Sequence, residues 1–203
     1  NSVKGNRQTI LQRLKLPVAP AWLEQTHSIN VVNADNSHVH HADGSYCNNN
    51  RQVCVVMTAD CLPILLCDKN GTEVAAVHAG WRGLCDGIIE TAIKKFTHSP
   101  QRLIAYLGPA IGPAAFEVGS EVKQQFVAKH PEAQHCFVPA SEHISCHKYL
   151  ADLHGLAKLR LTKAGVKTIF ADKRCTVSDP ESFFSYRRDG VTGRMASFIW
   201  LDA

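Results

Sequence analysis

Three residues, each beside an apolar run, carry the donor types from which a metal site can be built. Cys61 closes the segment Met57-Thr58-Ala59-Asp60-Cys61, His78 closes VAAVH at 74–78, and His27 precedes INVV at 29–32. One thiolate and two imidazoles suit Zn²⁺. Three protein ligands leave the fourth tetrahedral position for water or substrate, which is what separates a catalytic zinc from a structural one. Strand ends hand the chain to loops, and functional residues gather there. The separations of 34 and 17 residues match no chelating pattern, so on residue types alone a buried Cys beside two core histidines is as good a reading. The trio also supports a cysteine hydrolase. There an imidazole lowers the thiol pKa, the thiolate attacks a carbonyl, and Asp60 or His27 orients the base.

Other candidates are weaker. His38, His40 and His41 contain one H-x-H, but they fall in an Asn- and Asp-rich stretch read as loop with no element to fix their geometry, so they read as ordinary loop residues, with incidental metal binding as the alternative. His130, His135, His143 and His147 lie in polar connections and read as solvated. The run Gly108-Pro109-Ala110-Ile111-Gly112-Pro113 follows a buried strand and is stiffer than a generic loop. Ser185-Tyr186-Arg187-Arg188-Asp189-Gly190 sets two guanidinium groups beside a turn, where Arg187 could grip a phosphate or simply pair with an acid.

These residues need elements to position them. Apolar runs at 53–58, 62–67 and 73–78 are strand-length and rich in β-branched residues, as strands buried on both faces would be. Further strands are expected at 29–33, 103–107, 166–170 and 195–201. Helices are expected at 6–14, 84–96, 119–129 and 149–164, the last ending at Gly165. Residues 34–50, polar and carrying three consecutive Asn, read as loop. Strands and helices mix without strict alternation. That points to a single α+β domain over 1–203, with mixed β-sheets packed together and helices outside in α/β/β/α layers.

Composition narrows the function classes. The chain has 203 residues, enough to bury a core without disulfides, and 45% of them are apolar. The net charge of +4 is scattered, with only short basic pairs such as Lys94-Lys95, so a nucleic-acid partner is not expected. No run approaches the ~20 apolar residues of a membrane span. Eight cysteines without a C-x-x-C pair read as reduced thiols, and the expected compartment is the cytoplasm.

Thr58-Ala59-Asp60-Cys61-Leu62-Pro63, His78-Ala79-Gly80-Trp81-Arg82-Gly83, the 107–113 run with Phe116-Glu117-Val118-Gly119, and the 185–190 run with Thr192-Gly193-Arg194-Met195-Ala196 resemble the signature blocks of one family. This is the bacterial laccase-domain family, associated with purine nucleoside phosphorylase and adenosine deaminase activity and formerly labelled multicopper polyphenol oxidase. Residues 20–30 resemble its W-L-x-Q-x-H block, and the resemblance runs from about residue 5 to the C-terminus.

The resemblance implies the α+β fold and carries metal ligands onto His27, Cys61 and His78. It implies zinc, with copper under the older label. It also implies phosphorolysis of adenosine, inosine or methylthioadenosine to free base and ribose-1-phosphate, alongside adenosine deamination. Cys61, His78 and Asp60 are the expected catalytic residues, and Arg82 and Arg187 the expected phosphate contacts. The expected partners are small molecules, a purine nucleoside and phosphate. The chain has Ser28 where the family usually has Gly, and it is expected to lack the family's N-terminal segment, with its S-T-R-x-G-G-type block. A four-copper oxidase needs repeated H-x-H pairs, and one occurs here, so about one metal per chain is expected.

Overall fold

A computed structural model describes residues 2–50, 52–140 and 147–202. His143 and Cys146 lie outside these.

The apolar runs form a six-stranded mixed sheet in the order Thr168–Ala171, Leu103–Leu107, Leu62–Asp68, Val74–Ala79, Gly44–Cys47 and Val31–Asn33. The two outer pairs are parallel and the inner pairings antiparallel. Side chains alternate between two buried faces. Leu62, Ile64, Leu66, Ala75 and Val77 face a large core under the helices Ile88–Ile93, Ser120–Lys129 and Leu153–Lys163. Leu65, Cys67, Val74 and Ala76 face a smaller core beneath an antiparallel pair, Val53–Thr58 with Met195–Trp200. Both faces are apolar because both are covered, which is why these runs show no polar alternation. Each fully buried Leu or Ile contributes about 1.5–3 kcal/mol, so these strands are firm mounts for their ends. A three-stranded antiparallel sheet, Phe137–Pro139, Lys148–Ala151 and Glu117–Gly119, lies to one side.

The architecture is the expected α+β arrangement of mixed sheets with flanking helices. Several boundaries differ. The 34–50 stretch is not all loop. Gly44–Cys47 is a wholly buried strand of the central sheet, and His40–His41 pairs in parallel with Leu23–Glu24. Gly and Ser have poor strand propensity, but pairing on both edges overrides it. The 84–96 helix begins at Trp81 and is broken at Gly87, whose φ of 110° ends one helix and starts the next. The 149–164 helix begins at Leu153, because Asp152 caps it by accepting the Gly155 N–H at 2.9 Å and frees Lys148–Ala151 for the side sheet. Gly165, with φ of 97°, follows that helix as expected. The N-terminal helix spans Ser2–Arg13 and buries nothing fully, and Leu14 is exposed. It reaches the body through Arg7, whose guanidinium lies over Trp22.

Candidate metal centre

Chain topology brings the ligands together. Val53–Thr58 belongs to the outer pair and Leu62–Asp68 to the central sheet, so Ala59-Asp60-Cys61 is the crossing between layers. Asp60 takes φ of 88° to make that turn. Register then sets Pro63 opposite His78 and Leu62 opposite Ala79, which leaves Cys61 beside the end of the His78 strand. On the other edge Gly44 opposes Val77, so Asp43 arrives against His78.

Asp43 is the residue that sequence reasoning missed. Its carbonyl accepts the His78 N–H at 2.7 Å, and its Oδ1 accepts from His78 Nδ1 at 2.7 Å. The same carboxylate accepts the backbone N–H groups of Thr26, His27 and Ser28 and the Ser28 hydroxyl. It therefore holds one ligand by its ring and the other by its backbone. His27 sits at φ of 62°, a left-handed conformation unusual for a side-chain-bearing residue, and the clamp is what maintains it. Ser28 donates through its hydroxyl as well as its N–H, a bond that a Gly at this position could not make. The signal for Asp43 in the sequence was slight, one of two acids in a stretch that reads as loop.

His27 Nε2 lies 3.8 Å from Cys61 Sγ, and the His27 and His78 rings meet edge to face at 4.9 Å. One donor atom from each of His27, Cys61 and His78 lies within 4.8 Å of the others. Exposure falls from His27 through half-buried Cys61 to buried His78, so the centre opens outward on the His27 side. Burial pushes the Cys61 thiol up, but hydrogen bonds from His27 and His78 outweigh it and bring the thiol to about 6. Burial pushes His78 down, but the hydrogen bonds to Asp43 and Cys61 outweigh that and raise it to about 9. Burial raises Asp43, but the bonds from His78 and Ser28 bring it to about 2. A ready thiolate, an imidazole oriented through Nδ1 and a soft N₂S donor set fit a zinc ion.

Two cavities meet at Cys61 and Tyr186. The larger, about 650 Å³, is lined by His27, Cys61 and His78 together with Gln25, Met57, Thr58 and Arg194. The smaller, about 190 Å³, is walled by Trp81, Ile111, Phe116 and Leu153, with Asp60 and Arg187 at its edge. Gln25 shapes the larger one by bonding both ways to the Met57 backbone at 2.7 Å.

The other expected site residues are placed as follows. Asp60 is buried, and both its oxygens are engaged: Oδ1 by the Thr176 hydroxyl at 2.6 Å and Oδ2 by the Arg187 N–H at 2.7 Å. It braces the C-terminal turn against the strand crossing. The Arg187 guanidinium bonds the carbonyls of Ala115 and Glu117. Arg82 is exposed, lies over the Trp81 ring and lines neither cavity. Arg194, part of a motif block but not singled out from the sequence, lines the larger cavity. The Glu117 carboxylate pairs with Lys148 away from the cleft. The 108–113 run is tied across the site by Ile111 N–H to the Asp60 carbonyl. Cys47, Cys54, Cys67, Cys85, Cys136 and Cys175 are free like Cys61, and none of these six lines the two cavities. Among the described residues no helix is long and apolar enough to cross a membrane.

Known proteins resemble this chain in sequence and in fold. The chain is 50% identical over 201 residues to a protein of Escherichia coli strain K12 named purine nucleoside phosphorylase YfiH, covering 98% of this chain and 81% of that one. It is 47% identical over 203 residues to a Haemophilus influenzae purine nucleoside phosphorylase, covering 100% and 82%. The crystal structure of the Neisseria meningitidis protein NMB0706 superposes with a TM-score of 0.93 at 48% identity, covering 99% of this chain and 81% of that one. The family model described as multi-copper polyphenol oxidoreductase laccase matches residues 1–202, and the chain belongs to that family.

Proposed function

We propose that this chain is a zinc-dependent purine nucleoside phosphorylase that also deaminates adenosine. The observation that carries the reading is the convergence of His27, Cys61 and His78 on the wall of a cavity large enough for a nucleoside, beside a recess with two aromatic walls. The relatives named purine nucleoside phosphorylase support it.

The recess offers Trp81 and Phe116 to a flat purine and apolar Ile111 and Leu153 to its edges. The larger cavity takes ribose and phosphate, with Arg194 as the anion contact on its wall. Arg187, anchored through two carbonyls, stiffens the junction of the two cavities and offers positive charge there. Asp43 holds His78 through Nδ1, which leaves Nε2 as the coordinating nitrogen. When bound, zinc supplies Lewis-acid polarisation and water activation, which deamination at the purine six-position requires.

A cysteine hydrolase is the second reading, favoured by one observation: Cys61, His78 and Asp43 form a thiolate–imidazole–carboxylate series. Chelation separates the two. Exhaustive chelation is expected to stop adenosine consumption and zinc to restore it, with phosphate shifting the products from inosine toward free base, as followed by chromatography. Activity that survives chelation and dies on thiol alkylation would establish the hydrolase instead. A four-copper oxidase is poorly served, since two donor clusters are found among the described residues.

A further inference from the structure

The second of those clusters lies in neither cavity. Asp35, His38 and His40 bring a carboxylate and two imidazoles together, one donor atom from each lying within 4.8 Å of the others. His40 Nε2 is buried and has no hydrogen-bond partner. The nearest carboxylate oxygen, Asp35 Oδ2, is 3.9 Å away. That is too long for a hydrogen bond, but it suits two ligands sharing one ion at about 2.0–2.2 Å each. A buried ring nitrogen with nothing to bond has lost its hydration without replacement, and a cation between these groups supplies what is missing.

The donors are mounted. Ser37 ties Asp35 with its N–H and its hydroxyl, both at 2.8 Å, and the same hydroxyl meets His38 Nδ1 at 3.0 Å. The His38 and His40 rings are in contact, with centroids 3.9 Å apart and planes tilted by 47°. His40 is held by parallel pairing opposite Leu23, and the pairing continues with His41 opposite Glu24. An H-x-H in a free loop would have to order itself on binding. This one has one imidazole on a strand and a carboxylate tied in a tight turn, so most of that ordering is already done.

We propose that Asp35, His38 and His40 form a second metal site, which takes one divalent first-row transition ion of the borderline class: zinc, copper(II), nickel or cobalt(II). Two imidazoles and a carboxylate are the donor set those ions accept, and the absence of a thiolate distinguishes this N₂O site from the N₂S centre at Cys61. The ion pins the 35–40 turn to the strand pair. His40 lies three residues before Asp43, so the pinned run leads into the clamp that orients His78 and His27. The site stands independently of the nucleoside reading.

Cobalt(II) is the probe, titrated into the full chain by equilibrium dialysis with absorption recorded. Wild type is expected to take two equivalents, only one of them giving thiolate-to-cobalt charge-transfer absorption. Cys61→Ala should lose that band and still take one equivalent. Asp35→Asn with His38→Ala, both in a surface turn, should keep the band and stop at one. His38→Ala alone should weaken the sulfur-free equivalent at least about tenfold, the lower end of what even outer-shell losses cost a metal site. A wild type whose single equivalent carries the thiolate band, or a double variant that still takes two, would overturn the proposal. A sulfur-free equivalent that depends on His38 while the thiolate band never appears would support this site and count against the N₂S centre.

Discussion

Asp43 and His78 are joined twice, by the backbone bond from His78 N–H to the Asp43 carbonyl and by the side-chain bond from Nδ1 to Oδ1, each 2.7 Å long. A carboxylate can only accept, so Nδ1 carries the proton and Nε2 keeps its lone pair. Asp43→Asn preserves shape but weakens this orientation and the clamp on residues 26–28. Zinc affinity is expected to fall by about 10–100-fold, as for other outer-shell partners. Competition with a metal-binding dye measures it, and an unchanged affinity would refute the positioning role.

Cys61 distinguishes ligand from nucleophile. Cys61→Ala should abolish both metal and activity at the cleft. Cys61→Asp retains a group that ligates zinc, so it should keep part of the metal and part of the nucleoside activity. A carboxylate does not replace a thiolate in an acyl-enzyme cycle. Complete inactivity of a folded, zinc-loaded Cys61→Asp would favour the hydrolase.

Gly80 tests how tightly the ligands are packed. A Cβ there would stand 2.7 Å from His27 Cδ2 and 3.2 Å from Cys61 Sγ. Gly80→Ala must displace a ligand, with an overpacking cost of about 1–3 kcal/mol and a marked loss of zinc affinity. Gly5→Ala is the control, since nothing lies within 4 Å and the residue is in a helix. It should leave zinc binding alone and stabilise by up to about 1 kcal/mol. Equal zinc affinity in the two variants would show that Gly80 is not packed as described.

Acid sensitivity is expected from Glu73, which is remote from the cleft. Burial raises its carboxyl, but bonds from the Tyr46 hydroxyl, His98 and Thr97 outweigh this and bring it from 4.5 to about 2. A depressed carboxyl stabilises the fold above its unfolded pKa, and that contribution is lost as pH falls toward the folded value. Denaturant midpoints should therefore drop between about pH 4.5 and 2, and Glu73→Gln should flatten part of that slope while lowering stability at pH 7 by about 1.5–3 kcal/mol. An unaltered slope in the variant would assign the acid sensitivity elsewhere.

The strands at 53–58, 62–68 and 74–79 were legible because burial on both faces writes itself as continuous apolar sequence, and 103–107 was legible as an apolar run although Tyr106 faces solvent. His27, Cys61 and His78 were legible as strand-end residues, and their grouping came from the resemblance of their motif blocks. Asp43 was not legible. Gly44-Ser45-Tyr46-Cys47 reads as loop by local preference and becomes a strand only because Val74–Ala79 and Val31–Asn33 pair with its two edges. The same pairing logic turned His40 from a loop histidine into a mounted one. Arg187 and Asp60 looked like free functional groups until the fold gave their donors and acceptors partners at Ala115, Glu117 and Thr176. Residue type and local pattern determine which atoms a chain can offer. Whether those atoms are spent on the scaffold or left for chemistry depends on long-range neighbours, and only the tertiary structure decides that.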